Sequence, residues 1–363
     1  MPTRLNAFTP TDTSGRIADW VEVEALLSPV GRTSQSAMTR AITIIDEPVR
    51  DEDDEDRAPD GETDDAIVGG RAILDQTIEM LSERVYLELE YRQRTLGDRY
   101  PFAIEAVGNN WRLTQLPTGT PAQQFSRLFY VACLMVAAVK YKYLPVTKTD
   151  PLAKQMPELV QVMSYTVAAD YVRGESYWMG WPRPDNTTSF RSALEKLVMR
   201  ARVGALLRED PEWDSGAAKD GSVDLVAWRS FADGKAGKSV LYGQVASGLN
   251  WRDKPLPASI DPLFLGWFEY HPSKERLHSM FIPFVQHEGC KPRAGQDYFK
   301  RLHADARKDE RTYGIVFDRL RIAELATDSW ERLEATAWHD DVDLQGAVSR
   351  IRHWVDEMQS RFR

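Results

Sequence analysis

The chain contains only two cysteines, Cys133 and Cys290, in 363 residues. Two thiols cannot staple a fold of this size, so the expected compartment is a reducing cytoplasm. Histidine is also scarce. Six are scattered along the chain, and His287 with Cys290 is an isolated pair. A zinc site needs a cluster of such ligands, so zinc chemistry has no support. Basic residues are outnumbered, 46 Lys and Arg against 55 Asp and Glu, giving a formal charge of −9. That excludes a uniformly basic coat for nucleic acid but permits a local basic surface. The longest apolar run, Leu128 to Val139, is too short for a bilayer span and reads as a buried core helix. The N-terminal residues show no basic region followed by an apolar one, so neither a secretory signal nor a membrane partner is expected.

Several catalytic motifs are missing as well. No G-x-S-x-G elbow supports acyl transfer. Gly234 to Ser239, GKAGKS, resembles a fragment of a phosphate-binding loop but lacks its first glycine and its strand-to-helix setting, so it reads as a turn. No internal repeat is visible. What remains is ordinary globular composition, 42% hydrophobic and 10% aromatic, in a chain long enough for two domains.

Helical periodicity dominates the first half. Residues 1–45 carry two short helical patterns, with Ser14 as a cap for the first. Residues 46–66 are almost all acidic or polar and read as a solvated linker. Residues 67–185 form a mainly helical accessory domain: a long amphipathic helix over Arg71–Thr95, a hairpin built from YPFAIEAV and WRLTQL, and helices after Pro121 and Pro157. Residues 186–330 change character. An amphipathic helix capped by Thr188 or Ser189 precedes strand candidates at Val223–Trp228, Ser239–Val245, Met280–Val285 and Tyr313–Ile322. Residues 331–363 close the chain with a basic helix. The expected fold is α/β, a mixed sheet flanked by helices with a mainly helical N-terminal domain.

The chemistry concentrates on two of those strands. Alternation puts Val223, Leu225 and Ala227 on one face, and Asp224, Val226 and Trp228 on the other. A turn, FADGKAG, joins this strand to the next, which carries Gln244. An acidic oxygen and a carboxamide oxygen on neighbouring strands suit a hard cation, Mg²⁺ or Mn²⁺. Each residue also has a plainer reading: an Asp after Gly-Ser suits a turn, and a Gln between Gly243 and Val245 suits an edge-strand backbone. Asp318 to Arg321, DRLR, could contact phosphates or form a salt-bridged strand end. Trp251 beside Asn250 could stack on a base or pack in the core.

A leading helix, an Asp opening one strand and a Gln in the next resemble the PD-(D/E)XK nuclease superfamily, in its restriction-endonuclease-like, Mrr-type branch. The resemblance spans Ser189 to Leu325 and rests on short motifs. It implies a restriction-endonuclease-like core and a metal-dependent DNA endonuclease of a prokaryotic restriction or phage-defence system. DNA is then the implied partner, with other defence-system subunits. It gives Asp224 the place of the metal-binding aspartate and Gln244 that of the second acid, which Gln often replaces in this branch. Glu195 in the leading helix stands as a further metal ligand. The lysine that positions the attacking water falls on Ala246, so that role passes to Lys254 or Lys238 or is lost. If it is lost, the resemblance implies a non-catalytic DNA-binding or assembly subunit on the same fold.

Overall fold

The computed structural model describes residues 5–9, 12–46, 64–108, 110–214, 220–235, 237–254, 256–287, 297–335 and 343–363. Residues 47–63, most of the acidic stretch expected to form a linker, lie outside them.

The N-terminal half is mainly helical. It contains α1 (Ser14–Leu27), β1 (Arg32–Ser34), α2 (Gln35–Asp46) and the long α3 (Asp64–Leu96). Then follow β2 (Phe102–Val107), β3 (Asn110–Gln115), α4 (Pro121–Lys140), α5 (Pro151–Tyr171) and β4 (Glu175–Trp178). Thr13, rather than Ser14, caps α1 by accepting from the Arg16 N–H. α4 begins at a full capping box, Thr120 with Gln123, and at Pro121, whose missing N–H costs nothing there. It is the one described helix long and apolar enough to cross a membrane, and most of it is buried in the protein. Its most extensive neighbour is α9.

The C-terminal half supplies α6 (Phe190–Ala201), β5 (Ala205–Leu206), β6 (Leu225–Trp228), β7 (Val240–Val245) and α7 (Leu256–Leu263). After these come β8 (Phe268–Tyr270), β9 (Arg276–Phe281), α8 (Tyr298–Tyr313), β10 (Ile315–Phe317), α9 (Arg319–Ala335) and α10 (Leu344–Phe362). Ser189 caps α6, as the sequence suggests. Five strands form one mixed sheet in the order β10-β9-β7-β6-β4. β6 runs antiparallel to both of its neighbours, β4 and β7, whereas β9 and β10 run parallel to β7. The architecture is therefore an α/β mixed sheet flanked by helices, joined to a mainly helical N-terminal region.

Alternation along β6 and β7 sorts side chains between two layers. Leu225, Ala227 and Leu241 enter the largest apolar cluster, which runs from Phe8 to Phe362 and includes α4, α5, α9 and α10. Val226, Trp228, Val240 and Tyr242 enter a second cluster under α6. Val223 joins this second cluster instead of sharing a face with Leu225, because regular extended structure starts only at Leu225. The boundary expected near residue 186 is crossed twice over. β4 belongs to the same sheet as β6, and α5 packs on β4, β6 and β7.

The strand expected over Tyr313–Ile322 is much shorter. Tyr313 ends α8, only Ile315–Phe317 pair with β9, and Asp318 turns the chain into α9 by accepting from the Arg321 N–H at 3.1 Å. DRLR is thus a helix start, where a capping carboxylate satisfies an otherwise unpaired N–H.

Candidate functional site

β6 and β7 pair from Trp228↔Val240 to Leu225↔Gly243, and Asp224 stands immediately before β6, outside the paired register. The Asp224 backbone is clasped on both sides. Its N–H donates to the Gly243 carbonyl at 2.9 Å, and its carbonyl accepts from the N–H groups of Met179 and Gly180 at 2.9 and 2.8 Å. Its side chain returns to β7, where Oδ2 accepts from the Val245 N–H at 2.8 Å. These bonds tie Asp224 to Gly243 and Val245, the residues on either side of Gln244 in β7.

The structure adds two residues that sequence reasoning did not find. A Cβ placed on Gly180 would lie 1.7 Å from Gln161 Nε2 and 2.9 Å from Asp224 Oδ1. Only glycine lets the α5 side chain and the Asp224 carboxyl approach the backbone after β4 this closely. Gln161 is buried, and its Nε2 has no hydrogen-bond partner. Gln244 Oε1 is likewise buried and unpaired. Each such orphan costs the desolvation of its group. The signal for Gln161 is a lone amide in the apolar run LVQVM, but nothing in the sequence shows that it faces Asp224.

The electrostatics are as unusual. Asp224 keeps some surface contact with solvent, but its carboxyl lies deep in protein, and burial pushes its pKa up to about 7. The Val245 N–H opposes that shift, the negative charge of Asp220 adds to it, and the positive charge of Lys254 opposes it. Lys254 follows a short 3₁₀ turn, Trp251–Asp253, and is exposed. Its charge is felt by Asp224, although the two form no ion pair within 4 Å among the described residues.

Other expected participants lie elsewhere. Lys238 is buried at the opposite end of β7 from Gln244, where its ammonium donates to the Ala201 carbonyl at 2.5 Å and to Ser230 Oγ at 3.3 Å. It ties down the end of α6 and does not face Asp224. Glu195 is exposed on α6 and pairs with Arg191 at 3.1 Å; that arginine is also held by Asp210 and the Leu207 carbonyl. The structure does not bring Glu195 to Asp224 or Gln244. Ala246 is buried with Met280, Ile282 and Trp251, an apolar setting that no ammonium would tolerate. Trp251 is itself fully buried, edge-to-face with Tyr313 and covered by the Arg252 guanidinium, so it packs and cannot stack on a base.

Among the described residues, no group of three His, Cys, Asp or Glu side chains could hold a metal ion. The polar groups gathered near the start of β6 are the Asp224 carboxyl and the Gln161 amide, with Gln244 nearby on β7. Mg²⁺ is commonly held by one or two carboxylates, with waters and substrate phosphate completing an octahedron. One carboxylate, Asp224, and the unpaired Gln244 Oε1 are oxygen donors of the type such a site uses. No family model, curated protein or solved structure matches the chain.

Proposed function

We propose that the protein is a metal-dependent DNA endonuclease of the PD-(D/E)XK type, with its reaction centre at Asp224 and Gln244. The single observation that carries this reading is the buried Asp224 carboxyl bonded to the Val245 N–H, one residue along β7 from Gln244, whose buried Oε1 is unpaired. The sheet supports it, because three antiparallel strands followed by parallel ones place both residues at one strand end. DNA as substrate rests on the sequence resemblance.

In this reading Asp224 and Gln244 hold Mg²⁺ or Mn²⁺, and Gln161 lies within reach through the gap at Gly180. The bound cation would lower the pKa of a coordinated water and offset charge on the scissile phosphate. Asp224 releases its proton to bind the cation, so its raised pKa makes binding favour alkaline solution. Gln244 contributes a neutral oxygen where a second carboxylate would bind more tightly. Lys254 serves as the cation that orients the attacking water, reaching the site from the turn after β7.

One observation favours a second reading. Ala246 is sealed in apolar packing, so no lysine on β7 serves the site. A chain that kept the fold and lost the chemistry would then bind DNA as an assembly subunit. Plasmid cleavage with Mg²⁺ or Mn²⁺, run on wild type and Asp224→Ala together, tests the proposal. Nicking by wild type alone, with equal melting curves, supports the enzyme. A wild type that binds the plasmid and never cuts it supports the second reading.

A further inference from the structure

A second site lies at the other side of the sheet. β10 is an edge strand, three strand spacings or about 14 Å from β6. Beside it α8, the start of α9 and the end of α5 enclose a groove of about 920 Å³, within the size range of small-molecule sites. One stripe of α8, Lys300, His303, Arg307 and Glu310, faces this groove at helical spacing.

The charges there are poorly matched. Lys300 and Arg307 form no ion pair or side-chain hydrogen bond among the described residues, whereas Arg301, on the same helix, is paired with Asp305. Arg321 contributes a third cation, tethered to the edge strand by its Nη1–H donating to the Val316 carbonyl at 2.6 Å. Glu310 and Glu324 also line the groove, so with His303 neutral the lining carries a net charge of +1 (three cations less two acids). That residual is too small for a general counter-ion surface. It suits a ligand with a phosphate at the cations and hydroxyl or amino donors for the two acids.

The groove also has an aromatic platform. Tyr171, the last residue of α5, is 43% exposed. Its ring is held edge-to-face against Phe317 of β10 at 4.9 Å, an anchor that leaves much of it open to solvent. An exposed, oriented aromatic ring is what a nucleobase stacks on, without regard to which base it is. The geometry points to a nucleotide site, with phosphate bound by Lys300, Arg307 and Arg321 and the base resting on Tyr171. The nucleotide is free in solution or is the 5′-phosphorylated end of a strand; both present the same chemistry. The site does not depend on Asp224 or on any cutting activity.

Titration calorimetry of the full chain in EDTA tests this, since cleavage is then silent. The probes are adenosine triphosphate, a 5′-phosphorylated thymidine oligonucleotide and inorganic phosphate. Wild type should bind at least one nucleotide probe, and Lys300→Gln with Arg307→Gln should weaken it at least about tenfold. Tyr171→Ala should weaken it by about tenfold, and Asp224→Asn should leave it unchanged. Tighter binding of the triphosphate assigns the site to a free nucleotide, and tighter binding of the oligonucleotide assigns it to a strand end. No heat from either probe overturns the site. So does an affinity that survives the double substitution, or inorganic phosphate binding as tightly as the nucleotides. A chain that binds nucleotide here and cuts no DNA loses only the endonuclease reading.

Discussion

Two regions of this protein bury carboxyl groups and handle the cost in opposite ways. Between α1, α3 and α9, Arg92 reaches Asp19 at 2.7 Å, Glu22 at 3.0 Å and Glu88 at 2.8 Å, and Arg319 also pairs with Asp19. Tyr130 donates to Glu22, while His287 and Tyr298 close on Glu88. None of the five charged side chains of this network is exposed beyond 1%. At the β6–β7 end, Asp224 has no cation in ion-pair contact among the described residues, and Gln161 Nε2 and Gln244 Oε1 are buried without partners. Opposite charges answer much of the first desolvation from within the protein, although burial still raises the Glu22 pKa and leaves Asp19 Oδ2 and Arg319 Nε and Nη1 unpaired. The second is met by raising a pKa, which leaves the group ready for a partner from outside. A buried ionic cluster is thus not a functional site merely because it is ionic; the buried carboxyl with no cation in contact is the better candidate.

Removing the central cation should break this comparison most visibly. Arg92→Met leaves three buried carboxylates short of their counter-ion and should destabilise the protein by about 3–5 kcal/mol, a large share of the roughly 5–15 kcal/mol that holds a typical protein folded. Urea unfolding measures it, and a loss under about 1 kcal/mol would show that the network is dispensable.

The next effect is the pH dependence of the other region. Folded Asp224 keeps its proton up to about pH 7, whereas an unfolded Asp releases it near 3.9. Between those values the unfolded state binds fewer protons, so this group's contribution to stability is present at low pH and fades as pH rises, by at most about 1.4 kcal/mol per pH unit. Glu88 has the opposite sign: although burial works against its ionisation, His287 and Arg92 hold its carboxyl well below the usual range, so its contribution is lost as pH falls. Melting curves of wild type and Asp224→Asn from pH 4 to 8 should lie closest at the acid end, diverge as pH rises toward 7 and hold a constant gap above it, with the Asn variant the more stable at the alkaline end. Parallel curves would remove the buried-acid account of the site.

Added Mg²⁺ sharpens the same contrast more gently. It should raise the melting temperature of wild type more at pH 8 than at pH 6, and leave Asp224→Asn unmoved, because a ligand that binds only the folded state stabilises it by mass action. An equal rise in both proteins would place the ion elsewhere. Lys254→Ala is expected to have the smallest effect on stability, within about 0.5 kcal/mol for an exposed side chain, while slowing plasmid cleavage without weakening metal binding. Unchanged cleavage would remove Lys254 from the site.

Much of this was legible before any coordinates. Alternation in LVAW and VLYGQV identifies the paired strands, because side chains on a strand must divide between two layers. Caps at Ser189 and Pro121 mark helix starts through local hydrogen bonding alone. The reading fails where local pattern and tertiary demand diverge. YGIVFDRLRI is β-branched enough for a strand, yet Asp318 caps a helix inside it. Lys238 and Lys254 are alike as residues, but one is locked to the Ala201 carbonyl and the other faces solvent near Asp224.

The sequence by itself determined most element types and the β6–β7 hairpin, because each depends on residues close along the chain. Only the tertiary structure decided that Gln161 meets Asp224 over Gly180, and that residues 19, 92 and 319 form one charge network. It also decided that Ala246 is sealed away from the site where a lysine was sought. Those contacts join elements tens to hundreds of residues apart. Their geometry follows from how layers pack and from which polar groups the packing leaves unpaired, and no local pattern encodes either.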